Sequence, residues 1–301
     1  MSPEDQAEKE PAGLAESRMT LGEHLSELRT RLFRGVLTIV VIFGVAWTFE
    51  ETVTEFAQGP YTQAMTRLEP EFVQKSEAVL KANPGLKRSD FFESGSTAED
   101  PVLRDFRKRL TIIEPFEGFV YKLKICFYAA MVLGSPVLLW QMWQFIAAGL
   151  YAKEKRAILR YFPLSLAAFG AGISFGFLVV VPQGLYYINQ SVSVKLGIPN
   201  TSASTYLSFL SSLCLAFGFI FQLPLVMTFL GSMGIVDHRI LAKYRGEFLI
   251  SAFVLAAFLT PPEPFTQVMM GLPMVLLYEA GIIGARIAGR RREQAEAAEV
   301  D

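Results

Sequence analysis

Along this chain, uncharged apolar runs alternate with short stretches rich in Arg, Lys and Glu. The first run extends from Leu32 to Phe49, and Arg34 lies close enough to its start to reach the headgroups along its aliphatic stem. No charge falls between Ile125 and Ala152, between Tyr161 and Gln190, or between Tyr206 and Val236. Each of these runs is long enough to cross a hydrocarbon core of about 30 Å as a helix. Pro163 falls where a first helical turn tolerates it, Pro182 lies near the far end of its run, and Pro224 predicts a kink in the fourth. Two shorter runs, Phe248 to Thr260 and Phe265 to Tyr278, flank Pro261-Pro262-Glu263-Pro264 and predict a hairpin. Its arms cover only about 20 Å each, so the bilayer beside them is expected to thin. The Trp140 and Trp143 pair near the end of the second run reads as an interfacial aromatic belt.

The fold class that follows is all-α: a polytopic membrane protein of six transmembrane helices with two short C-terminal spans. The spans fall at about 32–49, 125–148, 161–184, 206–232, 247–261 and 264–281. Residues 1–30 form an N-terminal segment with an amphipathic lead-in helix, 31–286 the membrane domain and 287–301 a tail. Arg29, Arg31 and Arg34, then Lys153, Lys155, Arg156 and Arg160, then Arg239, Lys243 and Arg245, then Arg286 and Arg290 to Arg292 all fall on one side. The opposite short connections carry only Lys195, so the positive-inside rule predicts both termini in the cytoplasm. The first external loop, roughly Glu50 to Tyr121, is long enough to escape that rule. Within it, residues 67–110 hold nine basic and eight acidic side chains and read as a solvated insertion.

Composition agrees and narrows the function classes. With 51% apolar and 19% charged residues, the chain is too greasy for a soluble surface, and its net charge of −1 argues against nucleic acid as a partner. Cys126 and Cys214 both lie inside apolar runs and read as small hydrophobes. The acidic, polar first 23 residues do not resemble a cleavable signal peptide, so the N-terminus is expected to be retained. Gly172-Ile173-Ser174-Phe175-Gly176 matches a nucleophile-elbow pattern, but it lies inside a predicted membrane helix. Both histidines, His24 and His238, fall in charged segments away from it, so close helix packing explains the glycines and no enzyme is expected. No phosphate loop or metal-ligand motif occurs, so no cofactor and no metal are expected.

Several segments carry a resemblance when taken in order. They are His24-Leu25-Ser26-Glu27-Leu28-Arg29-Thr30-Arg31-Leu32; Glu117-Gly118-Phe119 with Lys124; Ser135-Pro136; and Gln141 through Phe145. Phe145 through Arg156, Phe217-Gly218-Phe219 with Gln222-Leu223-Pro224, and Leu259 through Gln267 complete the set. Together they resemble the TatC family of the twin-arginine protein translocase across Leu21 to Gly284. The chain departs from the family pattern at Ala148, where Pro is usual, at Lys155, where Arg is usual, and at Glu263, where Asp is usual; Glu154 is kept. The resemblance implies a core receptor in the bacterial cytoplasmic (inner) membrane. Such a receptor binds twin-arginine signal peptides, assembles in several copies with TatA and TatB, and supports export of folded proteins driven by the proton-motive force.

It also implies site residues. Glu27 reads on pattern alone as half of an i,i+4 ion pair with Arg31; the resemblance makes Glu27 and Glu154 fixed carboxylates for paired guanidinium groups. Leu28 and Arg29 lie beside Glu27, and Arg29 has a competing duty toward lipid phosphates. Phe145 and Leu150 form an apolar surface for peptide residues or serve as interface anchors. Gln222, at mid-membrane depth beside Pro224, needs a hydrogen-bond partner: a carbonyl released by the proline, or a polar group on a TatA or TatB helix. Glu263 marks the external turn of the hairpin, and Glu279 is expected to pair with Arg286 or Lys243. The rival function is secondary transport of a small solute, with Gln222 lining its path.

Overall fold

The computed structural model describes residues 21–82, 110–149, 152–190, 201–259 and 264–298. The helices are α1 (Leu21–Thr48), α2 (Glu50–Ala82), α3 (Glu117–Ala148), α4 (Ala152–Phe175), α5 (Val181–Gln190), α6 (Ala203–Ile220), α7 (Leu223–Ser232), α8 (His238–Lys243), α9 (Arg245–Leu259) and α10 (Pro264–Ala298). Five described stretches are long and apolar enough to cross a membrane: Leu25–Thr48, Glu117–Ala148, Tyr161–Gln190, Ala203–Ser232 and Thr266–Gln294. The sixth helix, α9, has 15 residues, the short arm that the apolar pattern predicts. Its partner α10 runs for 35 residues, because apolar sequence resumes after Glu279 and the arginine-rich tail is built from strong helix formers.

Prolines shape the two bent spans in different ways. Pro182 has no N–H to offer the preceding turn, and its ring would press on a carbonyl there. The chain widens into a π-helical turn over Gly176–Val180, where the Val181 N–H reaches the Gly176 carbonyl, and α4 and α5 continue as one rod. At Pro224 the helix breaks instead. Phe221 and Gln222 close α6 by donating to the carbonyls of Phe217 and Phe219, and Pro224 occupies the first turn of α7. The predicted kink is therefore present.

Half of the α6–α7 hydrophobic window is buried against 11% of that of α1, which puts α6 at the centre and α1 at the rim. Around them α1 packs on α3, α4 on α6, α2 on α5 and α7 on α10. Small residues set the closest approaches. A Cβ on Gly172 would lie 2.4 Å from the Phe217 carbonyl oxygen, and one on Gly231 would lie 2.9 Å from the Cα of Ala285. The Gly172–Gly176 segment is thus a helix crossing, as its context predicts.

The external segment after α1 begins as a packed helix, α2, ahead of the charged 67–110 stretch. Ala57, Tyr61, Ala64, Met65 and Leu68 are buried, at a spacing that lines one face of α2 against α5 and α6. The Tyr206 hydroxyl donates to the Ala57 carbonyl, and the Tyr61 and Tyr206 rings meet edge to face at 5.4 Å. Residues 83–109, most of the charged insertion, lie outside the described residues. The remaining connection closes this end of the bundle: Thr111 pairs through its backbone with Thr201 and Ala203. Glu117, buried at the start of α3, accepts from the N–H groups of Ile113, Glu114 and Ser204, the last at 2.9 Å. Its carboxylate thereby satisfies an otherwise orphan donor in the first turn of α6.

Candidate functional site

The end opposite that cap gathers the basic clusters and the residues singled out for binding. On the second turn of α1, Glu27 forms an ion pair with Arg31; the two side chains are 30% and 16% exposed. This is the i,i+4 pair that the spacing predicts. The Arg31 Nε is buried without a hydrogen-bond partner among the described residues, so the guanidinium is held mainly by that one carboxylate. Leu25, Leu28 and Leu32 are exposed along the same helix, and Arg29 is exposed beside Leu28.

The antiparallel register of α1 on α3 decides what faces this turn. Gly35 stands against Leu138, and Gly134 against Ile42 and Thr38. Continued by two turns, that register brings Leu28 level with Phe145 in the last turn of α3. Glu154 lies on the first turn of α4 at the same end, and its side chain lies outside the described residues. Leu150 and Glu263 also fall outside them. Glu27, Leu28, Arg29 and Phe145 therefore gather at one end of the bundle, and the backbone of Glu154 joins them there.

Beneath this surface lies an aromatic plug that departs from the sequence expectation. Trp143 is 1% exposed, stacked on Tyr161 at 6.0 Å and edge to face with Phe229 at 5.1 Å. It is the buried joint of α3, α4 and α7 and not an interfacial anchor, because α7 covers the face that an isolated α3 would turn to lipid. Trp140 meets Phe162 edge to face at 4.8 Å. Further along, Gln222 is buried and pairs twice with one residue. Ser165 Oγ donates to its Oε1 at 2.7 Å, and its Nε2 donates to the Ser165 carbonyl at 2.9 Å. The partner is therefore a residue of α4 and not a carbonyl released by Pro224. Ser165 was not a sequence candidate; the need for a partner was visible, but its identity depends on how α4 crosses α6 and α7. Glu279 also differs from expectation: Arg245 holds it in a fork, with both contacts at 2.8 Å, at the base of the α9–α10 hairpin.

No group of three or more His, Cys, Asp or Glu side chains converges on a metal-sized site among the described residues. The described part of this end presents the Glu27–Arg31 pair beside Arg29 and the exposed leucines of α1. The sequence pattern of the Sec-independent protein translocase protein (TatC) family matches residues 23–273. This chain belongs to the TatC family. Among its relatives, the TatC protein of Desulforapulum autotrophicum is 34% identical over 282 residues, spanning 93% of this chain and 89% of that protein. The TatC protein of Aquifex aeolicus is 29% identical over 281 residues, spanning 93% of this chain and 100% of its own length. A crystal structure of the twin arginine translocase receptor TatC matches the fold with a TM-score of 0.66 at 29% identity, over 88% of this chain and 99% of that one. Family membership makes this TatC-family chain a multi-pass membrane subunit of the Sec-independent protein translocase.

Proposed function

We propose that this chain is the core receptor of a twin-arginine translocase, binding twin-arginine signal peptides with Glu27 and Glu154 as the two acceptors of the paired guanidinium groups. Leu28, Arg29, Phe145 and Leu150 complete the binding surface. The basic end of the bundle faces the cytoplasm, both termini lie on that side of the inner membrane, and TatA and TatB are the partners in proton-motive-force-driven export of folded proteins. One observation carries the reading: the Glu27 carboxylate, half-buried at the end of a membrane helix, already holds a guanidinium, that of Arg31. A peptide arginine asks for the same planar, charge-assisted contact, and lysine cannot reproduce its fork. The solved relative described as a twin arginine translocase receptor supports the same assignment.

The test places a photo-reactive residue at position 28 and presents a signal peptide with paired arginines or paired lysines. Labelling by the arginine peptide should fall about tenfold or more in Glu27→Gln and in Glu154→Gln, the loss expected of one charge-assisted hydrogen bond. Equal labelling by the two peptides, or labelling untouched by both substitutions, would overturn the assignment.

A further inference from the structure

A second cluster of arginines at the basic end lies apart from Glu27. Between the end of α7, the start of α8 and the last third of α10 is a cavity of about 480 Å³. Four arginines line it, Arg239, Arg286, Arg290 and Arg292, against two acids, Asp237 and Glu293. Its floor is made by Gly231, Ala285 and Gly289, where α7 and α10 approach too closely for larger side chains. Arg292 forms a fixed wall. Its guanidinium donates to the Met233 carbonyl at the end of α7 and lies over Gly234, whose φ of +69° and lack of a Cβ leave room for it. One of the two acids is already committed, since the Asp237 carboxylate caps α8 by accepting the Arg239 N–H at 3.0 Å and lies 2.8 Å from His238 Nδ1. The exposed guanidinium groups of Arg239, Arg286 and Arg290 make no ion pair among the described residues. The cavity is therefore a concave site with an excess of cationic donors, the arrangement that suits a phosphate.

The surroundings decide which phosphate. Ile283 and Ile287 are 58% and 50% exposed, and with Arg286 and Arg290 they fall on one face of α10 at i, i+3, i+4 and i+7 spacing. Ile235 and Ile240, next in sequence to the lining residues Val236 and Arg239, are exposed as well. Arginines beside exposed isoleucines on one face of a membrane helix are what a headgroup with an acyl chain requires; a soluble anion has no use for the isoleucines. We infer that the cavity is a binding site for one anionic phospholipid, with Arg286 and Arg290 on its phosphate and Ile283 and Ile287 along its acyl chain.

The full-length chain, purified in detergent and supplied with phosphatidylglycerol, tests this by native mass spectrometry. A bound lipid should survive on the unaltered chain, and its apparent affinity should fall about tenfold or more in Arg286→Gln/Arg290→Gln, the loss of at least one charge-assisted hydrogen bond. Lys243→Gln/Arg291→Gln removes the same charge from the same end without touching the cavity and should retain the lipid. An equal loss in both variants would reduce the effect to general surface charge and overturn the site, as would equal retention in both. Inorganic phosphate in millimolar excess should not displace the lipid; displacement would make this a site for a soluble anion. Unchanged thermal unfolding of both variants keeps a folding defect from mimicking the result.

Discussion

At the residue scale, Gln222 shows how much a membrane interior constrains a single polar side chain. Both ends of its carboxamide are taken up by Ser165, one by the hydroxyl and one by the carbonyl, in a region that offers no water. Removing one partner leaves the other unsatisfied, whereas removing both is much less costly. Gln222→Leu should therefore fold but lose about 1–2 kcal/mol, and Gln222→Leu/Ser165→Ala should recover part of that loss in thermal unfolding. The double variant also tests the sequence-based expectation that Gln222, beside Pro224, reaches a polar group on a TatA or TatB helix. With part of the stability recovered, a contact of that kind should still be lost and co-purification with TatA or TatB with it; retained co-purification would leave Gln222 a purely internal link. The same scale marks what the sequence makes readable. The Glu27–Arg31 pair follows from four-residue spacing, because both ends lie on one helix. Ser165, Trp143 and the Arg245–Glu279 fork do not, because each depends on which neighbouring helix covers it.

At the scale of elements, the apolar runs locate the membrane helices because a bilayer demands uninterrupted length and satisfied backbone groups. Helix α2 escapes that signal. Its mean composition is polar, and its buried stripe is made of Ala57, Tyr61, Ala64, Met65 and Leu68 among charged neighbours. Its outer half is tied to α5 by a polar latch: the Tyr186 hydroxyl and Gln190 Nε2 donate to the two oxygens of Glu71, and Lys75 Nζ reaches the Gln190 carbonyl at 3.5 Å. The hydrogen bond from Tyr186, then that from Gln190, holds the Glu71 carboxyl below its ordinary range. A carboxylate depressed in the folded state adds stability that is present above its unfolded value of about 4.3 and is lost as pH falls through the folded value. Hydrogen exchange across α2, corrected for the intrinsic rate, should therefore show protection that declines below about pH 4 in the unaltered chain and is flat with pH in Glu71→Gln. Identical pH profiles for the two proteins would mean that the latch does not hold α2.

On the scale of the whole molecule, the helices do not share one length. Helix α9 has 15 residues, about 22 Å at 1.5 Å per residue, against a hydrocarbon core of about 30 Å. It faces lipid along Leu249, Ile250, Val254 and Phe258, the last 85% exposed, so the surrounding bilayer has to thin or the helix ends have to enter hydrocarbon. The longer neighbour α10 packs along it, with Arg245 at the start of α9 paired to Glu279 near the middle of α10. Mismatch costs a fraction of a kcal/mol per Å, so a deficit of about 8 Å amounts to a few kcal/mol, enough to shift an unfolding temperature. Reconstituted in phosphatidylcholines of increasing acyl length, from 14 to 22 carbons on the order of typical thin and thick bilayers, the chain should unfold at progressively lower temperature. Inserting one helical turn of leucines into α9, about four residues, should move the optimum toward thicker membranes. An unfolding temperature indifferent to acyl length, or an optimum that the insertion does not move, would mean that the short arm does not deform the bilayer and that any local thinning during transport arises elsewhere.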